Sequence, residues 1–411
     1  MNLFKELELR NCIAQVSDPN IENVLNNEKV TFYLGIDPTA DSMHVGHLFG
    51  LINCRRLQLA GHKPIILVGG ATGMIGDPSG KSDERNLLTA DHIDKNVLAL
   101  SKQISKLIDA KMVNNYDWTK EYDVITFLRD IGKYFNINYM LAKESVKTRL
   151  DNGISYTEFT YQIMQALDFL HLYKDDNCTM QVGGTEQWGN ITAGLELIRK
   201  HIGHEAKAYG LNWPLITKSD GTKFGKTAGG AVWLDPKRTS PYEFYQFWIN
   251  TPDGDVITYL KQFTFLSLEE IDEIEKEMIK NPHLRNAQKI LGKEVTSLVH
   301  SEKAYTDAVR ITEALFSGNI KELSASEIEV GFKDVPSTEV TEDVGIIDAL
   351  VNSKLASSKR EARQFLSSNA VSVNGDKVSE LDFVLRKTDA IEGKFTVIKR
   401  GKKKYAIVSY K

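Results

Sequence analysis

Two histidines and three lysines are the first residues in this chain whose spacing suggests chemistry. His44-Val45-Gly46-His47 sets two imidazoles three residues apart, ahead of a run in which Leu48, Leu51, Ile52 and Leu59 recur at helical spacing. A helix starting there turns unsatisfied N–H groups and its positive dipole end toward whatever the histidines face, which favours an anion. Gly46 lets a flat base or a ribose approach the backbone. A zinc helix would need the second histidine four residues on and a glutamate beside the first, and no Cys or His cluster supplies further ligands. No metal site is expected. Segment 218–230 (Lys-Ser-Asp-Gly-Thr-Lys-Phe-Gly-Lys-Thr-Ala-Gly-Gly) holds three lysines and four glycines. A solvated hairpin has the same composition, but lysines on a glycine-rich loop are also what a departing polyphosphate requires.

Segment 69–82 (Gly-Gly-Ala-Thr-Gly-Met-Ile-Gly-Asp-Pro-Ser-Gly-Lys-Ser) invites a nucleotide-loop reading and fails both standard templates. A P-loop needs glycine five residues before Gly80 and finds Ile75; the dinucleotide fingerprint needs one two before Gly73 and finds Ala71. Pro78 also breaks the helix that should follow. These glycines more simply bring backbone close to a ligand at the end of a strand.

Such segments need a scaffold, and the surrounding pattern supplies one. Residues 29–36 read as a buried strand, 44–59 as a helix that Gly61 ends, and 63–68 as a second apolar strand. Strand, helix and strand at this spacing make a βαβ unit, hence an α/β fold with a doubly wound parallel sheet and ligands at the carboxyl ends of its strands. Segment 123–169 reads mostly as helix, with an aromatic-rich patch at 134–140. A strand at 178–182 and a helix at 190–201 follow, and 242–300 is helical again. Segment 321–345 is acidic, contains Pro336, and reads as a linker. Beyond it, short helices at 346–350 and 359–367 precede a strand that turns at Asn374-Gly375, a strong hairpin signal. The expected division is a catalytic domain over 1–230 with a helical insertion around 123–169, a helical domain over 231–320, the linker, and a small α+β module over 346–411.

Composition narrows the class. The 411 residues are 42% hydrophobic and 26% charged, which excludes a disordered, collagenous or coiled-coil chain. No apolar run approaches the roughly 18 residues of a membrane span, and the first residues lack a signal-peptide pattern. Cys12, Cys54 and Cys178 are too few and too scattered for a disulfide framework. A cytoplasmic globular protein is expected. Net charge is −4, but 346–411 carries 14 Lys/Arg against 7 Asp/Glu, so a basic module follows an acidic body. Such a module often meets phosphate backbones.

With these segments together, the chain resembles the bacterial-type tyrosyl-tRNA synthetases, a family of class I aminoacyl-tRNA synthetases. His44-Val45-Gly46-His47 matches the class I histidine signature, and Lys223-Phe224-Gly225-Lys226-Thr227 matches the family's mobile lysine loop. Segments 33–47, 69–81, 183–190 and 240–250 also look like family segments, and 346–411 like its C-terminal RNA-binding module. The resemblance covers nearly the whole chain. There are departures: Leu34 and Gly50 stand where some relatives place polar groups toward the nucleotide, Glu186 where Asp is common, and Phe-Gly replaces the Met-Ser of other class I loops.

The resemblance implies a Rossmann-like class I catalytic domain, a helical domain on the anticodon side and a homodimer. It implies three partners, L-tyrosine, ATP and tRNA(Tyr), with Mg²⁺ bound mainly through ATP phosphates. Thr39, His44, Lys223, Lys226 and Thr227 would then hold pyrophosphate charge, with Lys81 and Arg85 reaching in. His47 and Gly35 would seat the adenosine, with Asp37 also on the ATP side. Tyr33 and Asp168 would bind the substrate phenol, and Asp77, Tyr161, Gln165 and Gln187 its ammonium group. Lys359, Arg360 and Arg363 would face RNA. The rivals are the sister enzyme for tryptophan, which usually lacks the basic module; a generic nucleotidyltransferase, which would leave that module without purpose; and a non-catalytic RNA-binding paralogue, against which the intact His44, His47, Lys223 and Lys226 argue.

Overall fold

Nearly continuous apolar runs make the strands of the main sheet, and their burial on both faces requires helices on both sides. In the computed structural model, which describes residues 1–80, 88–151, 153–219, 221, 224–227, 230–333, 335–401 and 404–411, six strands form this sheet. They are β1 (Gln15–Val16), β2 (Thr31–Ile36), β3 (Lys63–Val68), β4 (Lys111–Asn114), β5 (Cys178–Gly184) and β6 (Tyr209–Trp213), in the order β1-β6-β5-β2-β3-β4. All pairings are parallel except β1 with β6. The chain leaves β2 toward β3 on one side and later returns with β5 on the other. The carboxyl end of β2 is therefore the switch point where an open α/β sheet leaves a crevice.

Helices α1 (Val45–Leu59), α2 (Ala90–Leu107), α3 (Tyr156–Asp175) and α4 (Trp188–Ile202) cover the sheet, and Phe169, Leu170, Leu197 and Ile198 pack with Tyr33, Ile65 and Leu67 in one core. The same unit includes the small ladder β7 (Lys226–Thr227) with β8 (Gly230–Ala231), and helix α5 (Asp253–Phe263). The expected helical insertion is broken into short pieces: a turn at Val124–Thr126, a π-helical turn at Phe127–Ile131, a 3₁₀ turn at Gly132–Tyr134, then Ile137–Leu141 and Glu144–Leu150. Arg149 pins the last piece to α3 through a two-pronged bond to Glu158 (3.1 and 2.8 Å) in which both side chains are buried. Among the described residues no helix is long and apolar enough to cross a membrane.

The chain divides into two units, Met1–Thr239 with Trp248–Val295, and Ser240–Phe247 with Thr296–Lys411. This corrects the expected boundaries, above all the linker. Segment 321–345 contains helix α7 (Ala325–Gly331), which follows α6 (Glu302–Ser317), and strand β9 (Ser337–Val340). Ile320, Leu323, Ile328 and Phe332 are buried with Ile311, Val397 and Ile407. Each of these elements is too short to establish an apolar period, and the acidic residues between them dominate the pattern.

The rest of the second unit follows the expectation. A short pair, β10 (Val344–Gly345) with β13 (Val384–Leu385), accompanies helices α8 (Ile346–Asn352) and α9 (Lys359–Ser367). β11 (Val371–Val373), β12 (Asp376–Val378), β14 (Phe395–Arg400) and β15 (Lys404–Tyr410) join β9 in a sheet of order β12-β11-β14-β15-β9. The hairpin turns where predicted: Asn374 and Gly375 have φ of 48° and 97°. A Cβ on Gly375 would lie 2.1 Å from the carbonyl oxygen of Gly318. Gly375→Ala should therefore destabilise the second unit by more than about 1 kcal/mol, read as a lower urea midpoint; an unchanged midpoint would show that this contact does not constrain the turn.

Candidate active site

A cavity of about 390 Å³ opens over the carboxyl ends of β2, β5 and β6, within the usual size for a small-molecule site. Tyr33, Gly35, Asp37, Thr39, His44 and His47 line it from β2 and the turn into α1, and Tyr161, Gln165 and Asp168 from α3. Asp77 and Gln187 line it from the loops after β3 and β5. Eleven residues singled out from sequence thus share one chamber. Lys81, Arg85 and Lys223 lie outside the described residues, and Lys226 and Thr227 form β7.

The deep end is polar and buried. Tyr33 is 1% exposed, and its hydroxyl has no hydrogen-bond partner among the described residues. Nearby Asp168 accepts from Trp118 Nε1 on one oxygen and from Asn115 Nδ2 on the other, each at 2.9 Å. Burial pushes the Asp168 carboxyl up to about 7, against the pull of the Asn115 and Trp118 bonds, and the Asp37 charge adds to the rise. Burial and neighbouring carboxylates also hold the Tyr33 and Tyr161 hydroxyls well above their ordinary range, so both are donors. Asn115 is the hub. Its amide also donates to Thr72 Oγ1 at 2.9 Å, and its oxygen accepts from the Ala71 N–H at 2.8 Å. Thr72 and Tyr161 in turn donate to the two oxygens of Asp37, both at 2.8 Å. Asp37, expected on the nucleotide side, is thus tied into the deep network.

A second knot surrounds Asp77, which accepts from Gln187 Nε2 at 2.6 Å and from the Ser79 N–H at 2.9 Å. Asn190 holds both glutamines, donating to Gln165 Oε1 at 3.1 Å and Gln187 Oε1 at 3.2 Å. Sequence reasoning assigned no role to Asn115, Trp118 or Asn190. The first two follow the end of β4, and polar residues just beyond an apolar strand of a doubly wound sheet were the available signal. Among the described lining residues Asp37, Asp77, Asp168 and Glu186 are carboxylates, and His44 and His47 are the only groups able to carry positive charge. That field favours a cationic ligand group.

At the mouth the histidines do structural work of their own. His44 is the N-cap of α1: its Nδ1 accepts from the Gly46 N–H at 3.0 Å, while His47 Nδ1 accepts from the His44 N–H at 3.2 Å. The rings stack with centroids 3.9 Å apart. With Nδ1 an acceptor, each neutral ring carries its proton on Nε2 and is a donor there. Capping thus uses Nδ1 of each ring and leaves the proton on Nε2. A Cβ on Gly46 would meet His44 Cε1 at 2.8 Å, so this turn requires glycine. Leu34, Gly50 and Trp213 make an apolar wall beside it.

Comparison with known proteins agrees with this geometry. The family model for class I tRNA synthetases (W and Y) matches residues 25–317, and that for the tyrosine–tRNA ligase C-terminal domain matches 327–408. Over the full length of both chains, identity is 57% to tyrosine–tRNA ligase 1 of Bacillus cereus (strain ATCC 10987 / NRS 248) and 56% to that of Bacillus subtilis (strain 168). The chain belongs to the tyrosine–tRNA ligases. The solved C-terminally truncated mitochondrial tyrosyl-tRNA synthetase of Aspergillus nidulans superposes with a TM-score of 0.69 at 32% identity, over 77% of this chain and 94% of that one. A tryptophanyl-tRNA synthetase from Plasmodium falciparum, at 16% identity and TM-score 0.53 over 80% of this chain and 87% of its own, shares the fold alone.

Like its relatives, this tyrosine–tRNA ligase has the family's C-terminal domain, and α9 belongs to it. Lys359, Arg360 and Arg363 are exposed there, with Lys359 paired to Asp348 at 2.6 Å. Ala362 and Leu366 face that unit's core.

Asp168 makes a pH signature. Its native pKa of about 7 stands above the ordinary 3.8, so between those values the native chain keeps a proton that the unfolded chain releases. Stability of the ligand-free protein should therefore fall as pH rises from about 4 to about 7, and Asp168→Asn should remove that part of the decline. Urea unfolding at a series of pH values reads it; parallel profiles for the two proteins would refute the raised pKa.

Proposed function

We propose that the cavity carries out the family reaction with the residues just placed. The carboxylate of tyrosine attacks the α-phosphate of ATP, forming tyrosyl-adenylate and releasing pyrophosphate; the 3′-terminal adenosine of tRNA(Tyr) then takes the tyrosyl group and AMP leaves. Because the substrate supplies the nucleophile, the chain needs alignment and charge stabilisation rather than a general base.

The observation that carries this reading is the Tyr33 hydroxyl, buried without a partner at the foot of the cavity where Asp168 is held by Asn115 and Trp118. A phenol there would accept from Tyr33 and donate to Asp168, satisfying both. Phenylalanine would leave both unmet, at about 1–3 kcal/mol for each buried polar group. The carboxylate-rich wall gives the substrate ammonium its place beside Asp77, Tyr161, Gln165 and Gln187. His44 and His47 offer Nε2–H donors to ATP, with Gly35 at the adenosine. Thr39, His44, Lys223, Lys226 and Thr227 hold the charge of the departing pyrophosphate, the lysines by their positive charge and the threonines by hydroxyl donors, with Lys81 and Arg85 reaching in. ATP enters as its magnesium complex, the ion held mainly through phosphate oxygens.

Two further assignments rest on surfaces. Val124, Ile125 and Ile137 are 72%, 68% and 57% exposed on the insertion, apolar side chains that a homodimer interface there would cover. The basic C-terminal segment, with Lys359, Arg360 and Arg363 on α9, suits the tRNA backbone of a cytoplasmic enzyme.

Tyrosine-dependent ATP–pyrophosphate exchange tests the activity. Tyr33→Phe and Asp168→Asn should both lose discrimination against phenylalanine while the protein stays folded; full discrimination in both would overturn the phenol site. Lys226→Ala should slow adenylate formation by about 10²–10³ with little change in tyrosine affinity, since charge on pyrophosphate develops only in the transition state. Near-normal single-turnover activation would remove that lysine from the mechanism.

A further inference from the structure

Helix α5 touches the lysine segment and the residue just before it at three points. The carboxylate of Asp255 accepts from the Ser219 N–H at 2.9 Å, and the Tyr259 hydroxyl donates to the Thr217 carbonyl at 3.3 Å. Phe224, within the segment beside Gly225, is buried between Trp248, Tyr259 and Phe263, with ring centroids 5.9, 5.0 and 5.4 Å away. The far end of α5 is gripped by the helix that carries the histidines. Arg56, buried in the last turn of α1, donates to the carbonyls of Lys261, Gln262 and Thr264 at 3.0, 3.0 and 2.7 Å. Arg10 adds bonds to the carbonyls of Lys261 and Leu266 at 3.1 and 2.7 Å. Two buried guanidinium groups thus meet the carbonyl-rich, negative end of α5, and Phe49 of α1 packs on Phe263 at 5.7 Å.

The lysine segment is also bonded to the start of α1. Val45 N–H donates to the Val232 carbonyl, and Val232 N–H to the Gly225 carbonyl, both at 3.0 Å. Gly225 has φ of 79°, and a Cβ there would meet Val45 Cγ2 at 2.8 Å. Histidines and lysine segment therefore share two attachments, one at each end of a helix about 16 Å long between residues 45 and 56.

We propose that α5 is the platform that sets the lysine segment against the histidine turn, with Asp255, Tyr259 and Arg56 as positioning residues for adenylate formation. They touch no substrate; they act through Lys226. The proposal rests on the reading that Lys226 stabilises the leaving pyrophosphate. A misplacement of about 1 Å is enough to cost up to about 10²-fold in rate, so loosening the platform should show in the chemical step and leave tyrosine binding alone.

The test uses the full chain in single-turnover adenylate formation, with tyrosine affinity from equilibrium dialysis. Asp255→Ala should slow the step about tenfold to a hundredfold while the tyrosine Kd stays within about twofold. Asp255→Asn keeps the acceptor for Ser219 and should recover most of the rate. Tyr259→Phe, which retains the ring and loses only the hydroxyl, should slow the step by a smaller factor and guards against misfolding of the alanine variant. In a double-mutant cycle, Asp255→Ala should add little to Lys226→Ala, because one acts through the other. Wild-type rates in Asp255→Ala and Tyr259→Phe, or fully additive losses in the cycle, would overturn the proposal. A normal rate in Lys226→Ala alone would instead overturn the reading beneath it.

Discussion

A carboxyl group buried at the foot of the cavity, on the inner face of α3, is the constraint around which this site is arranged. Asp168 cannot be hydrated where it stands, and an ionised group left there unpaired would be costly. The fold meets it with two donors, Trp118 and Asn115, and the second spends its remaining N–H and its oxygen on Thr72 and Ala71. Thr72 then orders Asp37, which also receives Tyr161. In a low-dielectric interior such a chain is rigid while every member is satisfied. Beside this chain the buried Tyr33 hydroxyl has no hydrogen-bond partner among the described residues, which is why the proposed phenol site is placed there.

The two ends of the cavity are built by different means. The end proposed for tyrosine draws on strand termini and the inner face of α3, where side-chain partners are far apart in sequence and held by the packed core. The end proposed for the nucleotide draws on a helix terminus, whose dipole and capped N–H groups come from the backbone itself. Its second half is the lysine segment. It borrows position from α1 and α5 through Val232, Asp255, Tyr259 and Phe224. Rigid recognition at one end and an attached, glycine-rich segment at the other suit a reaction that selects its substrate before charge moves.

The second unit follows another logic. Its small sheet and helices have their own core, and helices α6 and α7 close part of it. Excess positive charge is concentrated in its last 66 residues while the rest of the chain is acidic. A polyanion would be drawn to the one and repelled by the other, which orients an encounter before any specific contact forms.

Much of this was legible in the sequence wherever one stretch of chain decides the outcome. The strand–helix–strand unit, the helix beginning at His44, and the hairpin at Asn374-Gly375 all follow from apolar spacing, helix-end chemistry and backbone freedom within a few residues. The roles assigned toward tyrosine and nucleotide came from resemblance, and eleven of the residues so assigned line the one cavity. What the sequence did not disclose has one cause. Asn115 and Asp168 are 53 residues apart, Ser219 and Asp255 36, and Arg56 and Thr264 208. No local period encodes such pairs. The supposed linker failed for the complementary reason: its buried Leu323, Ile328 and Phe332 sit in or at the ends of elements of one or two turns, and they became core only when Val397 and Ile407 packed against them. Local chemistry determined which elements form and which residues could react; only tertiary packing decided which polar groups would be buried together and so have to satisfy one another.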